Sequence, residues 1–204
     1  MTRRAAALLP VALLLVLGGV ASAMEWFDAL LARVNGNPLL LSEVSAGEVL
    51  FRSGRPVPEL SPEARAAALD HAIDRRLLLA EAERFGVARP PDAAVADGLR
   101  QITPRLDGNG WWLDRETIAA AVHDQLWVDA FIAARIRAFV LIRDDAVTRE
   151  VAKQNGPLPG ETGQEAMARV RHDLEERETA VRLARYLERL RSRAEIRRYP
   201  VDLP

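Results

Sequence analysis

The sequence predicts a mostly α, multi-helix domain with a small amount of β-structure at its two ends. Three observations carry this. Ala, Leu, Arg and Glu dominate a chain of 204 residues that is 49% hydrophobic, 28% charged and only 5% aromatic, a helix-forming palette. Apolar residues recur at spacings of three and four through most of its length, while a hairpin turn signal follows Val34 and a short alternating segment surrounds Ile196. The length suits one globular domain or two small ones with a substantial core.

The first segment reads as an address. Thr2-Arg3-Arg4 is a short positive region, Ala5–Leu17 is uncharged and apolar, and Ala21-Ser22-Ala23 is the small-x-small pattern of a signal-peptidase site. Residues 1–23 are therefore expected to be a signal peptide cleaved between Ala23 and Met24, leaving 24–204 as one domain. The rival expectation keeps the stretch as a membrane anchor, which Pro10 and Gly18-Gly19 make a poor permanent span. Either way the rest of the chain is exported, and without Cys its core must hold it together.

Asn35-Gly36 between apolar runs predicts a hairpin, because both residues tolerate positive φ. Ser42 is expected to cap a short helix to Phe51, and Arg52–Leu60, with Gly54, Pro56 and Pro58, to link it onward. Ser61-Pro62-Glu63 starts a helix through Phe85, with Gly86 as its stop. Pro90-Pro91-Asp92 opens another, carrying Val95, Leu99 and Ile102 on one face. After a loop containing Trp111-Trp112, Asp114 is expected to cap a helix reaching Ala138. Phe139–Ile142 reads either as a helix end or as an extended link, and Asp144-Asp145 begins a helix to Gln154. Thr162-Gly163-Gln164-Glu165 has the spacing of a capping box. From there Met167, Val170, Leu174, Val181, Ala184, Leu187 and Leu190 predict the buried face of a helix of roughly 30 residues, about 45 Å long. Glu195–Tyr199 alternates like an edge strand.

Several blocks in this order are similar to the SurA/PrsA/PpiD-type exported chaperone domain. Arg33-Val34-Asn35-Gly36 followed by Leu41-Ser42-Glu43-Val44 resembles the opening of that domain. The run from Ala68 to Ala82, closed by Phe85-Gly86-Val87, resembles its most recognisable helix. Leu126–Ile132 and Asp144-Asp145-Ala146-Val147 resemble two later blocks, so the likeness spans about Ala32 to Tyr199. The resemblance implies that the strand near Val34 pairs with the one near Ile196. It also exposes a departure: where SurA and PpiD carry a parvulin peptidyl-prolyl isomerase domain, residues 155–161 simply join two helices.

Other chemistry is thin. His71, His123 and His172 each stand beside an Asp but lie inside predicted helices without the i,i+4 His pair of a zinc helix, so exposed or structural histidines are expected. No phosphate loop, dinucleotide fingerprint or nucleophile elbow occurs, and no Cys is available for thiol or iron–sulfur chemistry. A net charge of −1 gives no electrostatic case for nucleic acid. The seven arginines between Arg182 and Arg198 are expected to serve a helix C-terminus.

The resulting expectation is a non-enzymatic, periplasmic holdase-type chaperone needing no cofactor or metal. Its partners would be unfolded or partly folded envelope proteins, outer-membrane proteins among them, with membrane contact only if the N-terminal segment stays uncleaved. The alternatives are a structural or assembly adaptor for one envelope partner, or an accessory to a separate parvulin isomerase. Trp111 and Trp112, adjacent in a Gly-flanked loop, and Phe51 are the candidate client-binding residues; Trp26 and Phe27 are ambiguous.

Overall fold

Both ends of the chain meet in one sheet. The computed structural model describes residues 28–106 and 113–200. Strands β1 (Leu30–Val34) and β2 (Asn37–Leu40) form a hairpin, followed by helices α1 (Leu41–Phe51), α2 (Pro62–Arg84), α3 (Asp92–Leu106), α4 (Arg115–Arg135), α5 (Asp144–Lys153) and α6 (Gly163–Arg191), then β3 (Ile196–Arg198). Short 3-10 turns at Val57–Glu59 and Arg137–Phe139 complete the path. The sheet is antiparallel in the order β2-β1-β3, with Val34 opposite both Asn37 and Ile196. The fold is thus mostly α with a small sheet that joins the N- and C-terminal strands. The expected leader and its Ala23–Met24 junction lie outside the described residues.

Local chemistry explains most boundaries. Asn35 (φ 50°) and Gly36 (φ 81°) are both left-handed, the conformation a two-residue hairpin turn needs to match strand twist. Ser61 accepts from the Ala64 amide, Asp114 from Thr117, and Thr162 with Glu165 forms a reciprocal capping box. Asn155 and Gly156, again at positive φ, turn the chain between α5 and α6.

Three boundaries and faces depart from the expectation. Ser42 does not cap α1: the helix starts at Leu41, where the Glu43 carboxylate accepts from the Leu40 amide at 3.0 Å, and Ser42 bonds Asp28 instead. Helix α4 ends at Arg135 rather than Ala138, because Ile136 turns into the core (5% exposed) and the chain tightens into the 3-10 turn. On α6 the buried positions are Ala166, Val170 and Thr179, with Leu183, Tyr186, Leu187 and Leu190 packed further along, whereas Met167, Val181 and Ala184 face solvent. The cause is a change of partner: α6 packs on α5 along its first half and on α2 along its second, so its inward face rotates.

Helix α2 lines two of the three apolar clusters of the interior. One cluster joins its Ala68, Ala72, Ile73 and Leu77 to Ala32 and Val34 of β1 and Val44 of α1. A second joins Val49 and Leu50 of α1 to Ile102 of α3 and Val122 of α4. The third sets Leu78 and Ala82 of α2 against Trp127, Val128 and Phe131 of α4 under Tyr186 and Leu187 of α6. Glu81, itself buried, ties α2 to α6 by accepting from the Tyr186 hydroxyl and from Arg84 at 2.8 Å.

Candidate functional site

A cleft of about 420 Å³ opens between the hairpin end, the start of α1, the middle of α2 and the first half of α4. Its floor is apolar: Leu39, Leu40, Ala72, Leu79, Ala120 and Ala121. Its rim is charged, with Asp28, Glu43, Asp114, Glu116 and Asp124 against Arg75 and Arg76. The small residues of the lining come from both helices, Ala72 from α2 and Ala120 and Ala121 from α4.

Each rim group has a distinct setting. Arg76 bridges Glu43 at 2.8 Å and also donates to the Pro38 carbonyl. Asp28 accepts from the Ser42 amide at 2.9 Å and from its hydroxyl. Asp114 accepts from the Thr117 amide at 2.7 Å, and that bond, followed by the Thr117 hydroxyl, holds its carboxyl below the usual range. Asp124 touches His123 Nδ1 at 3.1 Å. Arg75 is lowered from its ordinary value by burial, a shift that the nearby Asp124 charge opposes. Its guanidinium lies along α1, 5.7 Å from the centre of the Phe51 ring and so close to Gly47 that an added Cβ would stand 2.6 Å from Nη1.

Phe51 is half-buried against the second cluster and shares the Arg75 contact, so it supports the cleft wall from behind. Trp111 and Trp112 lie outside the described residues, as do Ala23, Met24, Trp26 and Phe27. In sequence the two tryptophans directly precede Leu113 and the rim residue Asp114. Sequence reasoning missed Arg75, Glu116 and Asp124. The available signal was Gly47, a glycine inside a helix, which costs about 1 kcal/mol relative to Ala unless another group needs the space.

His71, His172 and the arginine run lie elsewhere in the fold. His71 faces Glu48 rather than Asp70, its buried Nδ1 lying 3.8 Å from that carboxylate without a hydrogen bond. His172 is exposed, and among the described residues no group of acidic residues and histidines converges as a metal site. Of the Arg182–Arg198 run, Arg182, Arg191, Arg197 and Arg198 pair with Glu178, Asp74, Glu195 and Asp70. Among the described residues no helix is long and apolar enough to cross a membrane.

A second apolar surface lies away from the cleft. The link after α4 runs along α6, held by Arg182 to the Phe139 carbonyl at 3.0 Å and by Arg171 to the Ile142 carbonyl at 3.3 Å. It leaves Phe139 64% and Leu141 84% exposed, with Val181 of α6 also open to solvent. The chain matches no family model, and no curated protein gives a match.

Proposed function

We propose that this protein is an exported, non-enzymatic holdase of the periplasm that covers apolar segments of unfolded envelope proteins, outer-membrane proteins included. The observation that carries the reading is the closure of the two chain ends, Val34 against Ile196, which is the pairing implied by the resemblance to the SurA/PrsA/PpiD-type chaperone domain. The direct turn from α5 to α6 at Asn155-Gly156 supports a chaperone module without an inserted isomerase. The open cleft and the exposed Phe139 and Leu141 supply places where a client could bury apolar surface.

Such binding needs no nucleotide. Covering roughly 200 Å² of apolar surface gains about 5 kcal/mol before the cost of ordering the client is subtracted, which suits weak, reversible capture.

The test is dilution of a urea-unfolded outer-membrane protein into buffer with the purified chain, followed by light scattering. Near-stoichiometric suppression without nucleotide is expected, together with a baseline rate in a prolyl-isomerisation assay. Replacing Trp111 and Trp112 together by Ala should leave the fold intact and weaken suppression. Unchanged scattering at tenfold excess of chaperone would overturn the reading, and capture of a single stoichiometric envelope partner would replace it with the adaptor.

A further inference from the structure

We infer that the cleft between α1, α2 and α4 selects extended client segments in which an apolar side chain stands beside a lysine or arginine. The inference rests on the chaperone reading and names the substrate class of the same site. An apolar side chain fits because Leu39, Leu40, Ala72, Leu79, Ala120 and Ala121 of the lining offer no side-chain hydrogen-bonding group. A neighbouring cation fits because the rim carries five carboxylates against two guanidiniums.

The excess of carboxylates persists after local pairing is taken into account. Arg76 and Glu43 already neutralise each other at 2.8 Å. The donors that hold Asp28 and Asp114 are neutral: the amides and hydroxyls of Ser42 and Thr117 fix both carboxylates without cancelling their charge. The exposed Glu116 carboxylate has no partner among the described residues, and Asp124 touches His123 Nδ1 with the Arg75 charge nearby. Against these four stands Arg75, whose guanidinium is laid on Gly47 and Phe51 along one wall. An approaching lysine or arginine therefore meets a net negative charge around an apolar pit, whereas an acidic segment is repelled.

Three fluorescein-labelled, unstructured peptides test this, identical except for Lys, Gln or Glu beside one Leu. Binding to the processed chain is read by fluorescence anisotropy, and a photocrosslinker at exposed Ala120 reports whether the peptide sits in the cleft. The Lys peptide is expected to bind at least about tenfold tighter than the Glu peptide, with most of that advantage lost in half-molar salt. Glu116→Gln combined with Asp124→Asn should bring the three peptides to within about twofold, and exposed Glu116→Gln alone should move part of the way.

Equal binding of all three peptides, with crosslinks from Ala120, overturns the charge preference and leaves the chaperone reading standing. Failure of every peptide to bind overturns both. A crosslink from Ala120 to Met24–Phe27 of the same chain, outcompeting the peptides, would make this chain's own segment the occupant and also overturn the inference.

Discussion

Removing Glu195–Pro204 tests whether the terminal strand closes the fold. The truncation deletes three hydrogen bonds that are individually defined: Asn35 amide to Glu195 carbonyl at 2.8 Å, Glu195 amide to the Asn35 side chain at 2.9 Å, and Tyr199 amide to Leu31 carbonyl at 2.9 Å. At about 0.5–1.5 kcal/mol each they contribute roughly 3 kcal/mol, reduced where water reaches the freed edge of β1. Ile196, partly buried on the first cluster, adds about 1 kcal/mol, and the exposed Arg198–Asp70 pair adds little. The expected loss is about 3 kcal/mol, a drop of roughly 6–12 °C in melting temperature for a chain of this size. Urea unfolding followed by far-UV circular dichroism and tryptophan fluorescence measures it. Because the contact joins residues 160 apart in sequence, it should form late in folding, so the loss should appear as faster unfolding by up to about a hundredfold. A change below about 0.5 kcal/mol, or one confined to the folding arm of the chevron, would refute the reasoning.

Ser45→Ala should cost about 1–3 kcal/mol in urea unfolding, since Ser45 Oγ is the acceptor for the buried Val57 amide at 3.2 Å; an unchanged midpoint would mean another group takes that bond. Phe131→Ala, emptying a fully buried site between Phe85 and Tyr186, should cost about 3–5 kcal/mol by the same measurement, and a loss under about 1 kcal/mol would contradict the packing. Acid should also destabilise the fold. Glu161 is held below its ordinary 4.5 by Arg169, Glu165 below 4.5 by the Thr162 amide, and Asp114 below 3.8 by the Thr117 amide. The folded state therefore binds fewer protons, so this stability is present above those ordinary values and is lost as pH falls through the lower folded ones. Melting temperatures should decline below about pH 4.5, and Glu161→Gln with Asp114→Asn should flatten the decline; an unaltered slope would assign it to other groups.

Signals carried by neighbouring residues were legible. Asn35-Gly36 marks the hairpin, Ser61-Pro62 and Asp114 mark helix starts, and Thr162 with Glu165 marks the capping box, each through atoms at most three residues apart. The end of α4 was not legible, because no Gly or Pro stands near Arg135 and the stop comes from Ile136 entering a core built by other helices. The face of α6 was mistaken at Met167, Val181 and Ala184 for a similar reason. A helix of 29 residues that meets α5 first and α2 later has no single inward stripe, and periodicity does not say where partners sit.

The sequence by itself determined the element order, most caps and turns, and the mostly helical class with strands at both ends, because backbone preference and capping act over one or two turns. Tertiary structure decided the rest. Arg75, Glu116 and Asp124 lie on two different helices, and they share a cleft with Asp28 and Leu39 only because α4 packs across α2 beside the hairpin. Gly47 likewise has a purpose only once the Arg75 guanidinium lies against it. Such a site depends on the distance between faces that no local interaction sets, and that distance follows from which apolar surfaces bury one another across the whole chain.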